Sequence, residues 1–154
     1  MSEYFLDIGW KSIRHAGEEL CGDHVDVIND HKGNLTAVVA DGLGSGVRAS
    51  ILSTLTSKII STMIAEGLPL KECVSTIAST LPVMKDKNVA YSTFTILHVS
   101  DGKTMHMVQY DNPSVILIRD GEIYDYAKQE LKMEDKTIYS SELILQEGDM
   151  FVSM

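Results

Sequence analysis

The chain has 154 residues, 44% hydrophobic and 23% charged, enough for one domain with a good core and too few for two. Its 22 acidic residues against 13 basic ones give a net charge of −9, which repels nucleic-acid phosphates and anionic membrane surfaces. No apolar run approaches the roughly 20 residues that span a bilayer, and Cys21 and Cys73 suit neither a disulfide framework nor a zinc site.

The N-terminal Met-Ser-Glu-Tyr lacks the basic and apolar regions of a secretory signal, so a cytoplasmic location is expected. Tyr4, Leu6, Ile8 and Trp10 alternate as an amphipathic strand does. His24 to Asn29 reads as a second strand, and Leu35 to Asp41 as a third, joined through the turn residues Asp30 to Asn34. The period then changes. Ile51, Leu52, Leu55, Ile59 and Met63 fall at helical spacing and predict a helix from about Val47 to Ala65. Gly67 ends it, and Pro69 suits the first turn of a second helix carrying Cys73, Val74, Ile77 and Leu81.

Strand character returns at Tyr91 to Val99. Asp101-Gly102 is a two-residue hairpin signal before Lys103 to Tyr110, and Asp120-Gly121 is a second one between Val115–Arg119 and Ile123–Tyr126. Leu143 to Leu145 and Met150 to Val152, flanking Glu147-Gly148-Asp149, read as a last hairpin. Strands, two helices and then hairpins predict an α+β layered sandwich of mostly antiparallel sheets flanked by helices, in one domain over residues 1–154.

The chemistry concentrates in Val38-Val39-Ala40-Asp41-Gly42-Leu43-Gly44-Ser45-Gly46, where a strand runs into a carboxylate, alternating glycines and a helix. Glycine has no Cβ, so backbone and carboxylate can approach a small charged object closely. Alternation puts Asp23 in line with Val25 and Val27, and Asp41 in line with Leu35, Ala37 and Val39. Two carboxylates facing an interior at one sheet end stay ionised readily only with a cation between them. Hard oxygen donors of this kind, with a carbonyl at Gly42, suit Mg²⁺ or Mn²⁺. The structural alternative makes Asp23 a turn residue and Asp41 a helix-start residue, each satisfied by backbone N–H groups.

Cys21-Gly22-Asp23 followed by Val39-Ala40-Asp41-Gly42-Leu43-Gly44-Ser45-Gly46-Val47-Arg48-Ala49 resembles the sporulation stage II protein E-type branch of the PPM (type-2C) protein phosphatases. Tyr110-Asp111-Asn112-Pro113, Val115 to Ile118 and Glu147-Gly148-Asp149-Met150 are similar to weaker landmarks of that branch. The resemblance implies two sheets flanked by helices around a pair of Mg²⁺ or Mn²⁺ ions that activate water against phosphoserine or phosphothreonine. It makes Asp23, Asp41 and the Gly42 carbonyl metal ligands, with Asp41 bridging. It implies a phosphorylated protein substrate of the anti-sigma-factor antagonist type. The family's pattern continues with a Ser-Asp-Gly beyond the strand matching Met150 to Met154. The expectation is therefore a domain incomplete at its C-terminus, with part of the metal-ligand set, little activity of its own, and an open sheet edge near Met150 inviting self-association.

Two rival readings differ in class. One is a catalytically silent phosphoprotein-interaction module on the same scaffold. The other is a nucleotide-binding domain, disfavoured because Gly42-x-Gly44-x-Gly46 is not G-x-G-x-x-G and an Asp at the turn repels a pyrophosphate. Among other polar residues, Asp26 falls on the face opposite Asp23, and His98 and His106 read as cross-strand neighbours. Lys11, Arg14, His15 and His31 read as exposed turn residues, and Arg48 sits in a first helical turn, against the dipole.

Overall fold

The computed structural model describes residues 6–11, 23–29, 33–43, 46–80, 91–133 and 136–154. Strands β1 (Asp23–Asn29) and β2 (Leu35–Leu43) precede helices α1 (Gly46–Ala65) and α2 (Leu70–Thr80). Then follow β3 (Tyr91–Ser100), β4 (Thr104–Tyr110), β5 (Ile116–Arg119), β6 (Glu122–Tyr124), β7 (Gln129–Met133), β8 (Lys136–Ile144) and β9 (Met150–Val152). A six-stranded sheet runs β1-β2-β3-β4-β8-β7 and a three-stranded sheet runs β6-β5-β9, with antiparallel pairing in both. This is the α+β arrangement of antiparallel sheets that the order of elements predicts.

The large sheet is covered on both faces, and strand alternation sorts its residues between them. Val38, Phe94, Ile96 and Val108 pack with Ile60, Val74, Ile77 and Ala78 of the helices. Leu35, Val99, Met105 and Met107 face the other way, against Val115, Leu145 and Phe151 on the side of the small sheet. Between the sheets a cavity of about 840 Å³ remains, lined by Ala37, Leu97 and Asp149 among others.

Both Asp-Gly signals are hairpin turns. Asp101 and Gly102 have φ of 53° and 63°, and Asp120 and Gly121 have 54° and 76°. Positive φ at both central residues is the geometry whose twist matches that of paired strands. Gly33 carries a tighter constraint: its φ is +89°, and a Cβ there would lie 2.9 Å from the Gly102 nitrogen. After α1, Gly67 (φ 86°) donates to the Ile64 carbonyl and Leu68 to the Met63 carbonyl, which closes the helix with a Schellman turn.

Several expectations fail, each for a physical reason. Residues 6–11 form no strand, and Trp10 is 58% exposed. Helix α1 forms as expected, but its apolar stripe is only partly on the sheet, with Ile59 packed against the core. Val47, Ile51 and Leu55 are at least half exposed, whereas Ala49, Ser53, Thr56, Ser57, Ile60 and Ser61 are buried. The hydroxyls of Ser53, Thr56, Ser57 and Ser61 bond to carbonyls three or four residues back in their own helix. Their polarity is thus satisfied locally, and their small size lets α1 lie close on the sheet. The last hairpin is not one: β8 pairs with β4 and β7, whereas β9 pairs with β5 in the other sheet. The chain crosses between sheets because Leu145 and Phe151 both enter the layer between them. Strand β7 and the first part of β8 gave no signal, since Glu130, Lys132 and Lys136 interrupt the apolar pattern. The buried Lys136 ammonium nevertheless has a partner, the Ala78 carbonyl near the end of α2, at 2.7 Å.

Candidate metal centre

Strand β1 begins where the glycine-rich end of β2 lies beside it, and the register sets Asp23 directly opposite Asp41. Residues opposite each other in an antiparallel pair project to the same face. That face is the one shared by Leu35 and Ala37, turned toward the space between the sheets. Asp23 is exposed and Asp41 half-buried.

The Asp41 carboxyl is pushed up to about 6. Burial is the largest cause, followed by the hydrogen bond to the Asp23 carboxyl and repulsion from its charge. Two carboxyls so placed share a proton only below about pH 6, and a divalent cation can take its place. Gly42 follows on β2, opposite Ser92 of β3, while the described β1–β2 ladder ends at the Asp23–Asp41 pair.

Behind the pair lies a hydrogen-bonded relay. The Thr93 hydroxyl, opposite Asp41 on β3, donates to the Asp41 carbonyl at 3.4 Å and also meets the Asn112 side-chain oxygen. The Asn112 amide donates to the Thr95 hydroxyl at 2.9 Å. Gln109 holds the following loop, accepting from the Val115 N–H at 2.7 Å and donating to Tyr126, whose hydroxyl donates to the Val115 carbonyl. These residues fix the backbone that carries Asp41. Sequence reading noted Asn112 within a landmark but gave it no role, because its partners come from a strand seventeen or more residues away in the chain.

The remaining candidates separate clearly. Asp26 faces the helices, and Lys58 of α1 bonds to it at 2.8 Å. Burial alone would raise its carboxyl, but hydrogen bonds from Lys58 and Ser57 bring it below the usual range. His98 and His106 are direct cross-strand partners with ring centroids 6.0 Å apart. His98 also bonds the Thr36 hydroxyl, and burial, then the neighbouring His106, lowers its basicity. Arg48 is exposed in the first turn of α1, which starts soon after Asp41. Lys11 is exposed. Cys21, Gly22, Arg14, His15, His31, Gly44 and Ser45 lie outside the described residues. Among the described residues, no group of three or more His, Cys, Asp or Glu side chains gathers at one point. Among the described residues, the candidates at this sheet end are the two carboxylates and the Gly42 backbone carbonyl.

Residues 31–154 match the family model for stage II sporulation protein E. The chain belongs to that family. The match includes Asp41 and the inter-sheet relay and begins after Asp23. Among solved structures, the PP2C phosphatase domain of the cell-fate determinant SpoIIE from Bacillus subtilis superposes with a TM-score of 0.67 at 20% identity. RsbX in complex with magnesium gives 0.69 at 23%, and a protein from a study of the bacterial stressosome gives 0.69 at 17%. These likenesses establish the PP2C-type fold. The alignments cover 89%, 92% and 92% of this chain, but 41%, 69% and 71% of the other chains, so this stage II sporulation protein E-family chain spans well under half of the first. A search of curated proteins gave no match.

Proposed function

We propose that this chain carries part of the active centre of a metal-dependent phosphatase that hydrolyses phosphoserine or phosphothreonine on a regulatory bacterial phosphoprotein in the cytoplasm. The observation that carries the reading is the Asp23–Asp41 pair, opposite in register at one sheet end, with the Asp41 carboxyl raised to about 6 by burial and by its neighbour. Such a pair suits a hard divalent cation, Mg²⁺ or Mn²⁺, and Asp23, Asp41 and the Gly42 carbonyl are the residues that would hold it. A pair of such ions, when bound, supplies an acidified water and neutralises charge on the phosphoryl oxygens.

The chain's own residues do the rest. Thr93 and Asn112 fix the Asp41 backbone, so its carboxyl stays aimed at the opening. Arg48 and the N-terminus of α1 place positive charge near an incoming phosphate. The superposition with magnesium-bound RsbX supports the choice of cation class. The partner would be a phosphorylated protein, of the anti-sigma-factor antagonist type that the family resemblance implies. Self-association through the β9 edge, where Met150 is 57% exposed, belongs to the same reading.

Two carboxylates and a carbonyl leave a divalent ion holding most of its waters. The 154-residue chain alone should therefore turn over slowly, and Mn²⁺-stimulated hydrolysis of an aryl phosphate should rise sharply in a longer protein containing it. Metal-independent phosphopeptide binding without turnover in that longer protein would favour the silent interaction module. No helix among the described residues is long and apolar enough to cross a membrane.

A further inference from the structure

A second groove, of about 430 Å³, opens beside the candidate centre. Gln109, Asn112, Ser114, Lys128, Thr137 and Tyr139 line it, with Asp111 as its carboxylate. Asn112 joins it to the centre, since the same side chain meets Thr93, which holds the Asp41 carbonyl. Its cation is Lys128. The ammonium bonds to the Ser114 hydroxyl at 2.9 Å and lies 5.3 Å from the Tyr126 ring centre. Among the described residues no carboxylate pairs with it, whereas Lys58 and Arg119 each have one. Hydroxyl-bearing Ser114, Thr137 and Tyr139 line the same groove, in a chain whose net charge is −9.

We propose that this groove selects the phosphoprotein substrate by a carboxylate near its phosphorylated residue, with Lys128 as the specificity-determining cation. The inference rests on the phosphatase reading above for its site and adds what that site prefers. The register supplies a spacing. Asp41 on β2 is separated from Gln109 on β4 and Tyr139 on β8 by two and three strand positions. Gln109 and Tyr139 lie in register with Val39, two residues along β2 from Asp41, so at about 4.8 Å per strand and about 3.3 Å per residue the separation is roughly 12–16 Å. An extended peptide rises about 3.3 Å per residue, so the matching Asp or Glu lies about four or five residues from the phosphoserine. Asp111 at the same rim disfavours a substrate acidic throughout and limits the preference to a single well-placed carboxylate.

The test uses the full-length protein with Mn²⁺ and three phosphoserine peptides carrying Glu, Gln or Lys at the fourth and fifth positions on either side. The Glu peptide should show a KM about tenfold below that of the Gln peptide, the effect of one charge-assisted hydrogen bond, with kcat little changed. Lys128→Glu should abolish that preference and favour the Lys peptide, and Lys128→Arg should keep it. A Glu-to-Gln ratio untouched by Lys128→Glu would overturn the proposal. If no peptide is hydrolysed, the phosphatase reading fails. Fluorescence anisotropy with the same labelled peptides then still decides the groove: Glu preference lost in Lys128→Glu upholds it, and equal binding of all three peptides overturns it.

Discussion

Asp41 and Asp149 both border the space between the two sheets, yet their surroundings are opposite. Asp149 is 3% exposed at its side chain and receives Arg119 in a two-point bond, Nε at 2.9 Å and Nη2 at 2.8 Å, plus the Gln146 N–H. Burial alone would raise its carboxyl, but Arg119 and the Gln146 N–H hold it below the usual range. Arg119 is in turn stacked over Tyr124 at 4.7 Å and bonds the Ile144 carbonyl, so this corner is complete as built. Asp41 has a second carboxylate where Asp149 has a guanidinium, and its carboxyl rises to about 6. A buried acid with its cation inside the protein holds the fold together. An acid paired with another acid is poised to take a cation from outside.

The sharpest way to break this contrast is to remove Asp41 from the full-length protein. Asp41→Ala should abolish Mn²⁺-dependent hydrolysis of an aryl phosphate, while Asp26→Ala, on the helix-covered face, should leave it within about twofold because its partners, Lys58, Ser57 and His24, lie away from the Asp23–Asp41 pair. Retained turnover in Asp41→Ala would sink the assignment of this sheet end.

Next in size is Arg119→Ala. It strands the Asp149 carboxylate between the sheets and should cost about 3–5 kcal/mol in urea unfolding, the range for breaking a buried pair from one side. A loss below about 1 kcal/mol, the size of an exposed pair, would show that the corner is wet.

The pH dependence separates the two acids by sign. Asp41 binds its proton more tightly folded (about 6) than at its ordinary value of 3.8. Its contribution is present below about pH 4 and lost as pH rises through 6. In EDTA, Asp41→Asn should raise Tm at pH 7.5 by about 2–4 °C, and by little at pH 4. Asp149, held low, contributes above its ordinary value and loses that contribution as pH falls through its folded one. Asp149→Asn should therefore lower Tm at pH 7.5. Tm changes of one sign for both variants would refute the comparison.

The smallest effect belongs to Lys58→Ala. Its side chain is 60% exposed, and the loss should stay within about 1 kcal/mol by denaturant titration.

Much of this was legible in the residues themselves. Strand-forming runs bounded by turn residues located β1 to β4, and Asp-Gly at 101–102 and 120–121 located two hairpin turns, because both are local properties of the backbone. Alternation also placed Asp23 and Asp41 on the faces they occupy, since a strand's side chains can point only two ways. Partnership was decided only in three dimensions. Ile51 and Leu55 look like core residues, but the hydroxyl-bearing face of α1 is the one on the sheet. The hairpin expected at 143–152 divides between two sheets, and β7 and β8 form without a clear apolar pattern because β4 supplies the ladder for β8 and β8 that for β7. Asp149 and Asp41 look alike along the chain. Which of them meets a cation depends on Arg119, thirty residues away, and on the register that sets Asp23 opposite Asp41. Sequence determines where a side chain can point, through the geometry of its own backbone. What stands opposite it is fixed by strand pairing over long separations, and that pairing sets its charge.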